Sequence, residues 1–171
     1  MADPFSIDFA DDRLTPALTR VIAALQDATP LFQDMGELML ASTKDNFAAG
    51  TSPEGTPWAA KSLTTMDRYR RTEGRKANAP VPTRPLIGVT RMLSTTIAYE
   101  VDAEGVSWGS NMIYAAVMQF GAKKGEFGTM ANGASIPWGD IPARPFLGVG
   151  PSDETALLAT IQDYLEGAAE G

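Results

Sequence analysis

"STTIAYEVDAEGVSWGS", residues 94–110, decides the fold class. Ile97, Tyr99 and Val101 alternate with Thr96, Ala98 and Glu100, the period of a strand with one buried face. "DAEG" (102–105) supplies the turn, and Val106 and Trp108 return on one face of a second strand. The stretch therefore predicts an antiparallel hairpin.

The chain on either side reads mainly as helix. "TPALTRVIAALQDA" (15–28) places Thr15 at a cap and Pro16 at the first helical position, with Leu18, Val21, Ile22 and Leu25 at helical spacing. "TPLFQDMGELMLASTKDNFAAG" (29–50) repeats the device with Thr29 and Pro30. Leu31, Met35 and Leu38 predict its buried stripe, and Gly50 its stop. Gly36 inside this helix costs about 1 kcal/mol, which points to close packing or a bend. Beyond the hairpin, "NMIYAAVMQFG" (111–121) is a short helix stopped by Gly121. Residues 143–149 read as a final strand. "SDETALLATIQDYLEGAAEG" (152–171) is a helix capped by Ser152, with Asp153 and Glu154 at the positive end of its dipole. Leu157, Leu158, Ile161 and Leu165 form its expected buried face. The order specifies an α+β fold: a small antiparallel sheet packed with N-terminal and C-terminal helices, with long extended loops. Residues 1–171 are expected to form one domain.

Two segments stand apart. "MDRYRRTEGRKANAPVPTRP" (66–85) is polar, basic and proline-bounded, so residues 61–85 are expected to form a mobile or extended arm. "AKKGEFGTMANGAS" (122–135) reads as a flexible, Gly-rich hairpin tip.

Composition narrows the function. Hydrophobic residues are 44% and charged residues 20% of the 171, as in a chain with a real core. No apolar run is long enough to span a bilayer, and the acidic N-terminus "MADPFSIDFADD" lacks a secretion signal pattern. Cysteine and histidine are both absent. That removes thiol chemistry, Ser–His–Asp catalysis and His- or Cys-based zinc sites. Carboxylate-only catalysis survives composition. Glu100, Asp102 and Glu104, however, have no neighbour to split their pKa values and read as a solvated face. No enzyme activity, metal or cofactor is expected.

The net charge of −7 is unevenly distributed. Residues 61–91 hold eight of the 14 basic side chains against two acids, net +6, so the remainder carries −13. Such a run is a solvated loop, a surface for an acidic partner, or a contact for DNA phosphate.

Four stretches in order carry a resemblance: "NFAAGTSPEGTPWAAKS" (46–62), "LIGVTRMLSTTI" (86–97), "VSWGSNMIYAAVMQFG" (106–121) and "IPARPFLG" (141–148). Across residues 30–166 the chain resembles the phage virion morphogenesis family of tail completion proteins. Phe47, Pro53, Gly55, Trp58, Thr90, Leu93, Ile97, Gly109, Tyr114, Ala115, Gln119, Phe120, Gly121 and 142–148 match the family pattern. Arg91 stands where that pattern places glycine. The resemblance implies a structural protein of a tailed phage or prophage, similar to tail-terminator and neck proteins. It implies a homo-oligomeric, commonly hexameric, ring that completes the tail or joins it to the head. The implied location is the virion, after assembly in the host cytoplasm. The implied partners are the tail tube or terminator and the head–tail connector, with DNA passing through the lumen unbound and no membrane involved. The alternative function is a DNA-binding module built on residues 61–91.

Candidate residues follow. Pro142 and Pro145 fix φ on either side of Arg144, so its guanidinium is presented from a stiff backbone. It either bonds loop carbonyls of its own chain or pairs with a carboxylate on a neighbouring subunit. The bracket is expected to aim it outward while Phe146 and Leu147 anchor the segment. Gln119 has an amide suited to a backbone or subunit contact, and Tyr114, Val117, Met118 and Phe120 read as core. Pro142, Arg144, Pro145, Phe146, Gln119 and Phe120 are the candidate subunit interface. Arg68, Arg70, Arg71, Arg75 and Lys76 are the candidate docking arm.

Overall fold

A computed structural model describes residues 13–72 and 82–170. The elements run α1 (Leu14–Gln26), α2 (Thr29–Ala49), α3 (Leu63–Thr72), α4 (Met92–Thr95), β1 (Ile97–Val101), β2 (Val106–Ser110), α5 (Ala115–Phe120) and α6 (Pro151–Glu170). The architecture is α+β. β1 and β2 pair antiparallel in the register Ile97↔Ser110, Tyr99↔Trp108 and Val101↔Val106, so Tyr99 and Trp108 share a face. The turn is closed by Asp102, whose Oδ1 accepts the N–H groups of Glu104 (2.8 Å) and Gly105 (2.9 Å). That carboxylate is thus a turn device.

Helix α2 lies between the hairpin and α6, and α1 packs on α6. Its buried line is Leu31, Gly36, Met39, Thr43 and Phe47, rotated from the predicted Leu31–Met35–Leu38 stripe toward the sheet. Gly36 is there for close packing: a Cβ would sit 2.4 Å from Cδ2 of Tyr99. The absent side chain lets the Tyr99 ring lie against the helix backbone. Gly50 ends α2 in the left-handed conformation (φ 78°), with its N–H bonded to the Asn46 carbonyl at 2.8 Å.

The core gathers residues from distant stretches: Phe47, Trp58, Leu93, Ile97, Ala115 and Phe146. The rings of Phe47 and Trp58 meet edge-on at 5.4 Å, and those of Phe47 and Phe146 lie 5.3 Å apart.

Several local expectations are corrected. Thr15, Thr29 and Ser152 lie inside their helices, not at caps. Asp27 instead accepts the Thr29 N–H at 3.2 Å. Hydrogen bonding from Thr29 holds its carboxyl below the usual carboxylate range. Asp153 is buried and reaches back to accept the Gly150 N–H at 2.8 Å, the backward half of a capping box at the start of α6. The segment 143–149 forms no strand. Residues 63–72 form α3, not an extended arm. The loop 122–135, in contrast, folds back on itself as the expected hairpin tip, through an isolated antiparallel Thr129↔Ser135 bridge.

Arg91 sits at φ 55°, ψ 15° immediately before α4. A non-glycine residue in this left-handed region carries about 1–2 kcal/mol of strain. Glycine relieves it but loses about 0.5–1 kcal/mol through greater unfolded-state freedom. Arg91→Gly is therefore expected to stabilise the chain modestly, by up to about 1 kcal/mol. Chemical denaturation checks this, and a lower midpoint at unchanged slope would show that the arginine side chain contributes more than its backbone costs.

Candidate functional site

The 141–148 bracket is held by bonds that substitute for a sheet. Ala122 and Ile141 exchange N–H···O bonds of 2.9 and 2.8 Å, and the Arg144 N–H reaches the Met118 carbonyl at 2.8 Å. Gln119, at the end of α5, then serves as a surrogate strand. Its Oε1 accepts the N–H groups of Phe146 (2.9 Å) and Leu147 (3.1 Å), and its Nε2 donates to the Leu147 carbonyl (2.8 Å). Trp58 Nε1 donates to the Pro145 carbonyl at 2.7 Å. These bonds place Phe146 at 0% exposure in the core. Gln119 is thus an intrachain strut.

Arg144 points inward. It is 7% exposed, donating from Nε to the Ala59 carbonyl (2.7 Å), from Nη2 to Ala60 (2.9 Å) and from Nη1 to Pro142 (3.4 Å). The expected outward aim is corrected. The rigid bracket delivers the guanidinium to carbonyls of the segment after Trp58, because a planar fork of donors suits that cluster. Lys61 lies beside it, donating to the carbonyls of Pro82 (2.5 Å) and Ile87 (2.6 Å), with Nζ 4.8 Å from the Tyr69 ring centre. Burial, then the charge on Arg144, pushes the Lys61 ammonium below its ordinary pKa, and burial does the same to Arg144.

Arg144→Ala is expected to cost about 2 kcal/mol, the scale of losing charge-assisted bonds whose carbonyls water partly re-solvates. It should also raise the Lys61 pKa by removing the adjacent charge. Thermal melting and NMR titration of Lys61 check the two effects. An unchanged Lys61 titration would show that the two cations do not interact.

A cleft of about 740 Å³ opens beside the bracket. Its walls include Lys61, Arg68, Tyr69, Tyr114, Trp138 and Asp140. Helix α3 carries Arg68, Arg70 and Arg71. Arg70 pairs with Asp67 at 3.1 Å on the surface, a contact of little energetic weight. Arg75 and Lys76 lie outside the described residues.

Phe120 is not core. It is 79% exposed, Ile113 is 97% exposed and Tyr114 39%. Helix α1 has no buried residue, and Leu14, Leu18, Ile22 and Leu25 are each between 53% and 58% exposed. Of the residues that mark α1 by helical spacing, Leu18, Ile22 and Leu25 are exposed and Val21 is half-buried. On α6, Leu158 is likewise exposed. Polar bonds hold α1 on α6. Arg20 donates to the carbonyls of Ala168 (3.4 Å) and Ala169 (2.5 Å), and the Tyr164 hydroxyl reaches those of Ala24 (3.0 Å) and Asp27 (3.1 Å). Among the described residues, no cluster of three or more potential ligands could hold a metal ion. No described helix is long and apolar enough to cross a membrane.

Comparison with known proteins adds two findings. A family model described as the phage virion morphogenesis family matches residues 9–166. The chain is 31% identical over 153 residues to the "Mu-like prophage FluMu G protein 2" of Haemophilus influenzae, covering 90% of this chain and 89% of that protein. No solved structure matches.

Proposed function

The chain belongs to the phage virion morphogenesis family, and we propose that it is a non-enzymatic structural subunit that completes or terminates the tail and joins it to the head. In this reading it works as a closed homo-oligomeric ring, a hexamer, at the neck of the virion. The observation that carries the reading is apolar exposure. Leu14, Leu18, Ile22, Leu25, Ile113 and Phe120 are each more than half exposed, on two separate parts of the chain. Apolar surface of this extent marks interaction sites, and two different patches on one chain are what a closed ring of head-to-tail contacts requires.

The charge split supports a division of labour. The acidic remainder of the chain, net −13 outside residues 61–91, suits a lumen through which DNA moves without sticking. Basic α3 would meet an acidic surface on the tail tube or connector, which neutralises it and sets register. Native mass and electron microscopy of the purified protein test the ring, and a chain that stays monomeric at micromolar concentration sinks it. Localisation of the subunit in particle density tests the neck. Arg68→Ser/Arg70→Ser/Arg71→Ser particles should fail in head–tail joining. Tight duplex binding with steep salt dependence, lost in that triple variant, would favour a DNA-binding module instead.

A further inference from the structure

We propose that the leucine-rich stripe of α1 is the socket for the Ile113–Phe120 ridge of a second copy of this chain. The proposal rests on the self-assembly reading above and names its contact.

The stripe is continuous. Leu14, Leu18, Ile22 and Leu25 follow one another at spacings of four, four and three along α1, all on one face. Four side chains at 53–58% exposure present roughly 400 Å² of mostly apolar surface, within the range at which the largest patch on a monomer is functional. With a polar rim, such a patch approaches the ~800 Å² that each partner contributes to a standard interface. The stripe is not needed for holding α1 in place, because Arg20 and Tyr164 supply the bonds between α1 and α6.

The ridge is complementary in form. Ile113 lies in the turn before α5 and Phe120 is the last residue of α5, so two large apolar side chains flank this short helix. Ile113 and Phe120 stand out at 97% and 79% exposure, with exposed Ala116 and half-buried Val117 between them. Two large knobs separated by smaller groups fit the gaps along a row of leucines. Residues 111–121 carry no charged side chain, so docking desolvates no ion on that side.

The second copy is preferred over self-pairing of stripes because α1 and α5 are not packed together within the chain and neither patch covers the other. Stripe-to-stripe pairing would bury one patch and leave the ridge in water. Stripe-to-ridge pairing buries both with one repeated contact, and that contact is heterologous, as ring closure demands.

The test uses mixing of full-length chains. Leu18→Asp disables the stripe, and Phe120→Asp disables the ridge. Neither position is buried, and unchanged far-ultraviolet circular dichroism confirms folding. Each variant alone is expected to be monomeric at concentrations at least tenfold above those at which the unaltered chain assembles. An equimolar mixture is expected to form a heterodimer and stop there, since one intact stripe meets one intact ridge. The chain contains no cysteine, so Leu18→Cys and Phe120→Cys chains, oxidised together, should yield the mixed disulfide in excess of either homodimer.

A mixture that stays monomeric, or a Leu18→Cys homodimer as the dominant product, overturns the proposal. Closed rings of the unaltered chain without the mixed disulfide would overturn this interface while sparing the ring. The mixed disulfide in a chain that assembles only into open chains would support the interface and defeat the ring.

Discussion

Replacing Gln119 with leucine is expected to lower stability by about 3–5 kcal/mol, a large share of the ~5–15 kcal/mol that holds a typical domain together. Leucine is close in volume, so the loss is almost wholly in hydrogen bonding. The N–H groups of Phe146 and Leu147 and the carbonyl of Leu147 all lose their partner. Phe146 is at 0% exposure, where water offers little replacement. An unmet buried polar group costs about 1–3 kcal/mol. Gln119→Glu separates the contributions: it keeps an acceptor for the two N–H groups and sets a second oxygen against the Leu147 carbonyl. It should fall between the parent and the leucine variant near neutral pH. Urea unfolding measures both, with midpoint shifts at constant slope. A Gln119→Leu midpoint within error of the parent would show that the bracket is held by Trp58 and Phe146 alone.

Gly150→Ala is expected to cost about 3 kcal/mol, the upper part of the usual range for overpacking, and to lower the melting temperature by roughly 10 °C. The Cβ it adds would lie 2.1 Å from the Pro53 carbonyl oxygen and 2.9 Å from its carbon. These are backbone atoms of a tight turn, in which Ser52 and Thr56 are bonded at 2.8 Å, so no side chain can rotate away. Relief requires the start of α6 to retreat from the turn, which strains the Gly150 N–H bond to Asp153. Gly167→Ala is the control. It lies on the same helix with nothing within 4 Å of its Cβ, and alanine there should stabilise by about 0.5–1 kcal/mol. Equal melting temperatures for the two variants would place the helix start in a softer setting than this geometry implies.

The regular elements were the legible part of the fold. Periodicity marked α1, α2, the hairpin and α6 because each has an apolar repeat that matches its backbone geometry. It failed on α3, where Leu63, Met66 and Tyr69 are spread among polar and basic residues. It failed again at 143–149, where extended backbone is bonded to the Gln119 side chain instead of a neighbouring strand. A side-chain amide mimicking a peptide group leaves no periodic trace. Among candidate residues, Arg68 of α3 lines the cleft while Arg70 and Arg71 are exposed, and Phe120 proved more exposed than a core reading allowed. Arg144 reversed direction.

The sequence by itself determined the α+β class, the helix–hairpin–helix order, the stops at Gly50 and Gly121, the lack of histidine and thiol chemistry, and the resemblance that placed the chain in its family. These are local properties or direct consequences of residue identity. Tertiary structure decided where side chains with two acceptable destinations went. Arg144 turned to three converging carbonyls because the segment after Trp58 passes beside the bracket, a proximity between residues more than eighty positions apart. The α1 stripe stayed more than half exposed because the face that α1 turns inward carries Ala17, Val21 and Ala24, beside the bonds that Arg20 and Tyr164 make between α1 and α6. An amphipathic helix encodes that one face must be covered, but what covers it depends on which element arrives at that face, and among the described residues Leu18, Ile22 and Leu25 keep more than half of their surface exposed.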